Sequence, residues 1–170
     1  MIFVAVGTQF PFNRLIQYMD DWAISDNNKT QENVIAQISE GDYLPTNIEY
    51  ERFMSGETYN QNVRQASVFV SHAGMGNIIS AREQQTPIIV INRQIILGEH
   101  RNDHQADGLK WMGKLDGVYT ASTQEELYQH LQHINDLKPA KNSHVGNQHL
   151  SDTIADFILH GDNKESLVKL

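Results

Sequence analysis

The sequence predicts an α/β fold, a doubly wound parallel sheet with helices on both faces, and three observations carry that expectation. Short unbroken apolar runs recur: IFVAV at 2–6, SVFVS at 67–71 and PIIVIN at 87–92. Runs of this length belong to strands covered on both faces, as parallel sheets require. Amphipathic stretches separate them, and strand–helix alternation implies right-handed crossovers within one sheet. Finally, no internal repeat and no convincing linker interrupts the chain, so residues 1–170 read as one domain.

Taken in order, the strand at 2–6 ends in Gly-Thr-Gln, and FNRLIQYMDDWAI at 12–24 sets Phe12, Leu15, Ile16, Met19 and Trp22 at helical spacing. A polar loop precedes strands at 34–39 and 48–54. Ser55 can cap a helix over 57–66, ahead of the strand at 67–71. A helix over 76–85 leads to the strand at 87–92, where Pro87 is tolerated at the first position. A helix over 102–115, a strand at 117–121 and a helix over 123–134 behind a Ser122 or Thr123 cap follow. Leu150, Ile154, Phe157 and Ile158 mark a tail helix at about 148–160.

The formal charge of −8, from 13 basic and 21 acidic residues, argues against nucleic acid and anionic lipid, which draw on dense Lys and Arg. Without cysteine there is no disulfide, thiolate nucleophile or Cys-ligated zinc, a usage that suits a reducing cytoplasm. The opening MIFVAVGTQF lacks the basic region and long apolar core of a signal peptide. No apolar run approaches the ~18–20 residues of a spanning helix, so any membrane contact would need a partner or a peripheral surface.

The segment FVSHAGMGNIISAREQ at 69–84 holds the strongest functional signal. Gly74 and Gly76 follow a buried strand and open a helix, so an anion could meet free N–H groups and the positive helix end. Ser71 adds a hydroxyl, His72 an imidazole and Asn77 an amide. The dinucleotide fingerprint fails, since its third glycine would be Ile79, and no Walker Gly-Lys-Ser/Thr occurs. On the residues alone, a phosphate cradle and a tight structural turn fit equally well.

SHAGMGNIISAREQQTPIIVINR followed by GEHRNDHQ resembles the C-terminal domain of glycosyltransferase family 28, and so does the opening FVAVGTQFPFNRLI. These segments cover most of residues 1–105 in family order. The likeness extends to small bacterial exopolysaccharide transferase subunits and to the catalytic subunit of the eukaryotic lipid-linked N-acetylglucosaminyltransferase. It implies one Rossmann-like half of a GT-B enzyme, the C-terminal-type half that binds a UDP-sugar. By resemblance the 71–77 loop, Met75 included, holds the diphosphate, and Gly7 and Thr8 border the site. Asp103, His104 and Gln105 match a polar patch facing the donor. Many relatives carry a ribose-binding glutamate where this chain has Ser80; Ser80 or Glu83, one turn on, would take that contact.

Several residues admit two readings. GEHRNDH at 98–104 sets His100 and His104 four apart with Glu99 and Asp103 close by, but it is not H-E-x-x-H and Gly98 suggests a loop. A donor-facing or partner-facing loop and a plain solvated loop both compete there with a metal site. Arg93 and Arg101 could grip a diphosphate bidentately or be ordinary surface arginines. Phe10, Pro11 and Phe12 either pack in the core or cover the mouth of the site.

The function implied is the donor-binding catalytic subunit of an inverting hexosyltransferase, moving a hexose from a UDP-sugar to a lipid-linked acceptor in exopolysaccharide or capsule synthesis. His72 and Asn77 would stabilise the leaving group, while the base would come from a membrane-anchored acceptor-binding partner, since 170 residues hold one GT-B half. No cofactor or metal is expected. The chain would lie in the cytoplasm at the inner face of the membrane through its partner, and could form a homo-oligomer in isolation. The alternative is a non-catalytic nucleotide-sugar-binding or stabilising subunit. A nucleotide-sugar epimerase fits this length poorly.

Overall fold

The computed structural model describes residues 1–25, 32–94, 97, 99 and 105–141, apart from the side chains of 105–107. Met1–Ala140 forms one compact unit and Lys141–Leu170 a second, and the expected tail helix lies outside the described residues.

Six strands make an all-parallel sheet: β1 (Ile2–Ala5), β2 (Val34–Gln37), β3 (Glu49–Glu51), β4 (Val68–His72), β5 (Ile88–Ile91) and β6 (Val118–Ala121). Their order is β3-β2-β1-β4-β5-β6. The helices are α1 (Asn13–Ile24), α2 (Gly56–Gln65), α3 (Met75–Glu83), α4 (Gln105–Met112) and α5 (Gln124–Gln132). The doubly wound sheet is the one expected, with element ends displaced by a few residues. β4 runs on into the motif, because His72 still pairs with Ile91 of β5.

Side-chain alternation divides the core between the two faces of the sheet. Ile2, Val4 and Val6 cluster with Leu15, Ile16, Met19 and Trp22 of α1 and with Leu127 and Leu131 of α5. Phe3 and Ala5 cluster instead with Val63 of α2, Ile78 and Ala81 of α3, and Leu109 and Met112 of α4. Ser55 and Thr123 cap α2 and α5, accepting from the N–H groups of Thr58 at 3.1 Å and Glu126 at 3.2 Å. Among the described residues no side chain caps α1; the residue before it is Phe12, which is buried in the core. β3 is exposed along its whole length and, among the described residues, pairs only with β2.

One acid, Asp20, is buried among the apolar residues of α1. Its carboxylate accepts from the Tyr43 hydroxyl at 2.7 Å and from the backbone N–H groups of Asn47 at 2.7 Å and Thr46 at 3.1 Å. Burial works against the charge, but the hydrogen bonds outweigh it and hold the carboxyl below its ordinary range. Donation to Asp20 pushes the Tyr43 phenol up to about 12.

The chain passes from β1 to β2 on one side of the sheet and later returns to place β4 on the other. At this switch point the loops leaving the carboxyl ends of β1 and β4 diverge and open a crevice.

Candidate functional site

A cavity of about 290 Å³ occupies that crevice. Gly7, Thr8, Gln9 and Phe10 line it after β1, His72, Ala73 and Gly74 at the end of β4, and Arg93 after β5. A larger hollow of about 460 Å³, bordered by Ser25, Glu32 and Glu49, carries none of the motif residues.

Gly7 follows β1 with a φ of +83°, a conformation that favours glycine. Gln37, at the end of β2, holds it there. The amide oxygen of Gln37 accepts from the Gly7 N–H and its nitrogen donates to the Gly7 carbonyl, both at 3.1 Å. A Cβ on Gly7 would lie 2.8 Å from Cε1 of His72, and one on Gly74 would lie 2.5 Å from its Nε2. The imidazole therefore occupies a slot between two bare α-carbons.

Gly74 is also the N-cap of α3, which has no side-chain cap. The N–H groups of Met75, Gly76 and Asn77 find no acceptor among the described residues. A Cβ on Gly76 would meet nothing within 4 Å. Open donors at the positive end of a helix, beside open space, suit an anion.

The side chain of Asn77 is engaged within the protein instead. Its nitrogen donates to Ser71 Oγ at 2.5 Å and stands 3.2 Å from His72 Nδ1, while its oxygen accepts from the Tyr59 hydroxyl at 2.9 Å. Ser71 is fully buried and donates to the His72 carbonyl at 2.8 Å. Tyr59 reaches in from α2, and burial pushes its phenol up to about 12 despite a hydrogen bond from Ser80. Ser80 thus turns toward Tyr59, and Glu83 is exposed in the last turn of α3.

Arg93 is not the surface arginine of the plainer reading. It is buried, donates to the carbonyls of Val6 and Phe10 at 2.7 Å each, and stacks over the ring of Phe12. Burial lowers its pKa, against the opposing field of Glu99. Its guanidinium braces the loop after β1, with one flank on the cavity. Glu99 forms a two-bonded fork with Arg14 of α1, both contacts at 2.8 Å, and also accepts from the Gln94 N–H. It ties the loop after β5 to α1. Among the described residues no three His, Asp or Glu gather as a metal site. His100, Arg101, Asp103 and His104 lie outside the described residues, and Gln105 opens α4 with its side chain outside them.

The sequence reading did not single out Gln37, Tyr59 or the Arg14–Glu99 fork. Gln37 did leave a trace, as the one polar residue closing the apolar run VIAQ. Nothing local marks Tyr59.

The family model for the glycosyltransferase family 28 C-terminal domain matches residues 1–157. No curated protein matches the chain. The NMR solution structure of ALG13 aligns with a TM-score of 0.61 at 18% identity, over 93% of this chain and 96% of that one. The glycotransferase of kitacinnamycin gives 0.51 at 19% identity, over 94% and 40% of the two chains. CalG4, the calicheamicin glycosyltransferase, gives 0.52 at 14% identity, over 95% and 44%. The chain thus spans about two fifths of the length of the last two proteins. At such identities the likeness is one of fold, that of the C-terminal half of GT-B glycosyltransferases.

Proposed function

Because the chain belongs to the family of glycosyltransferase family 28 C-terminal domains, we propose that it binds a UDP-sugar in the β1–β4 crevice and supplies the donor half of an inverting hexosyltransferase. The observation that carries this reading is the set of unaccepted amides at Met75–Asn77, beside the His72 imidazole and the open space over Gly76. A diphosphate is the ligand that such donors fit, since backbone N–H groups recognise phosphate oxygens even in a chain of net charge −8.

In the reaction proposed, an acceptor hydroxyl attacks the anomeric carbon from the face opposite the nucleotide. The bond from that carbon to the diphosphate oxygen breaks, and UDP departs with the bonding pair. Amides already aimed at the diphosphate stabilise this growing charge without reorganising, which is the largest contribution to many such barriers. The proton of the acceptor hydroxyl must pass to a base. No carboxylate lines the crevice among the described residues, which favours a base on the partner. The likeness to ALG13, over 93% of this chain and 96% of that one, supports a donor half of this fold and size. No helix among the described residues is long and apolar enough to cross a membrane. A membrane-anchored partner that brings a lipid-linked acceptor, in exopolysaccharide or capsule synthesis, completes the proposal.

Titration with UDP tests it: the backbone amide resonances of Gly74–Asn77 should move. Resonances left in place, both for the chain alone and with an acceptor-binding partner, would overturn the reading. Transfer by the pair should collapse in His72→Ala, whereas a merely stabilising subunit would lose nothing.

A further inference from the structure

We propose that Tyr59 is a positioning residue which, through Asn77, holds the neutral His72 ring in the tautomer with its proton on Nε2. The geometry stands by itself; the consequence for ligand binding rests on the reading of the crevice as a diphosphate site.

The direction of each hydrogen bond follows from one fixed end. The His72 carbonyl has no proton, so its 2.8 Å contact with Ser71 Oγ uses the serine hydrogen. Ser71 Oγ is then an acceptor toward Asn77, and the Asn77 atom 2.5 Å away is the amide nitrogen. The amide oxygen consequently faces Tyr59, whose hydroxyl donates to it at 2.9 Å. That phenol keeps its proton far above neutral pH, and its ring is held edge-on against Phe3 and Phe69. The second hydrogen of the Asn77 amide is left for His72 Nδ1, 3.2 Å away.

A ring nitrogen that accepts carries no proton, so the proton of the neutral imidazole sits on Nε2. Nε2 is the atom nearest Gly74, at the edge of the crevice. His72 therefore offers the crevice an N–H and not a lone pair. It serves a phosphate oxygen and is unsuited to remove a proton from an acceptor hydroxyl.

The test uses the full chain with nitrogen-15-labelled histidine, reading the neutral His72 ring by long-range proton–nitrogen correlation. The Nε2–H pattern is expected; an Nδ1–H pattern, or an even mixture, overturns the proposal. Tyr59→Phe keeps the ring packing and removes only the hydroxyl. It should let the second tautomer appear and weaken UDP about fivefold, the weight of one ordinary hydrogen bond. Asn77→Asp offers His72 only oxygens and should turn the ring to Nδ1–H. An unchanged ring pattern in both variants, with only a lower melting temperature, makes Tyr59 a plain core residue and sinks the idea. A ring that responds as expected in a chain that binds no UDP upholds the positioning role and removes the nucleotide reading instead.

Discussion

Two places in the molecule turn backbone N–H groups toward a single region, and they are completed differently. Around Asp20, the N–H groups of Thr46 and Asn47 and the Tyr43 hydroxyl converge on a carboxylate that the chain itself provides. At the start of α3, next to Gly74 at the rim of the cavity, the N–H groups of Met75, Gly76 and Asn77 find no acceptor among the described residues. The donors are of the same kind in both. What separates the two is ownership of the acceptor: donors around the buried Asp20 carboxylate have one from the chain, whereas donors that are exposed or half-buried, as at Met75–Asn77, are open to a ligand.

That contrast can be broken at either place, and the largest effect is expected at the crevice. Gly74→Val puts a side chain where 2.5 Å separates a Cβ from the His72 ring, and should weaken UDP binding about 100-fold by calorimetry. Binding at native strength would mean that the ring does not border the ligand. Asp20→Ala should instead lower stability by about 2–3 kcal/mol in denaturant titrations, leaving UDP affinity unchanged, because three donors lose their acceptor.

The same acid sets a pH dependence. Its folded pKa lies below its unfolded value, so its contribution is complete above the unfolded value of about 4 and is lost as pH falls through the folded one. The acid limb of native unfolding should be steeper than that of Asp20→Ala.

Gln37→Leu removes both hydrogen bonds that hold Gly7 and should weaken UDP about tenfold with the sheet intact. The smallest change sharpens the contrast most. The added Cβ of Gly76→Ala meets nothing within 4 Å among the described residues, so it should stabilise the fold by roughly 0.5 kcal/mol while weakening UDP a few-fold. If affinity rose together with stability, the space over Gly76 would not be the ligand's.

Most of the fold is legible in the sequence for one physical reason. Strands buried on both faces must be apolar throughout, and IFVA, VFV and IIVI stand out against the amphipathic stretches between them. β3 was harder to bound, since Glu49, Tyr50 and Glu51 lie exposed at an edge and bear no burial pattern. At the candidate site, glycines crowded after a buried strand mark Gly74 and Gly76 in the sequence, a pattern that a tight turn shares, and the structure brings His72 between Gly7 and Gly74. Asn77 and Ser71 read as ligand-facing candidates, yet their side chains bond each other, and Asn77 also accepts from Tyr59 while Ser71 donates to the His72 carbonyl. Local sequence cannot show this, because Tyr59 lies on another helix and meets Asn77 only once both pack on the sheet. Gln37 is the parallel case. Its partnership with Gly7 depends on the register that sets Ala5 beside Gln37, and only the assembled strands contain that register.

The exposed β3 margin has a colloidal consequence. Among the described residues one side of this strand pairs with no other strand, and its backbone groups are of the kind that recruit another chain. Glu49 and Glu51 flank it, so two copies approaching rim to rim would press carboxylates together in a protein already at −8. Repulsion therefore guards this flank against fibrillar stacking, and a companion strand would need cationic side chains to settle there.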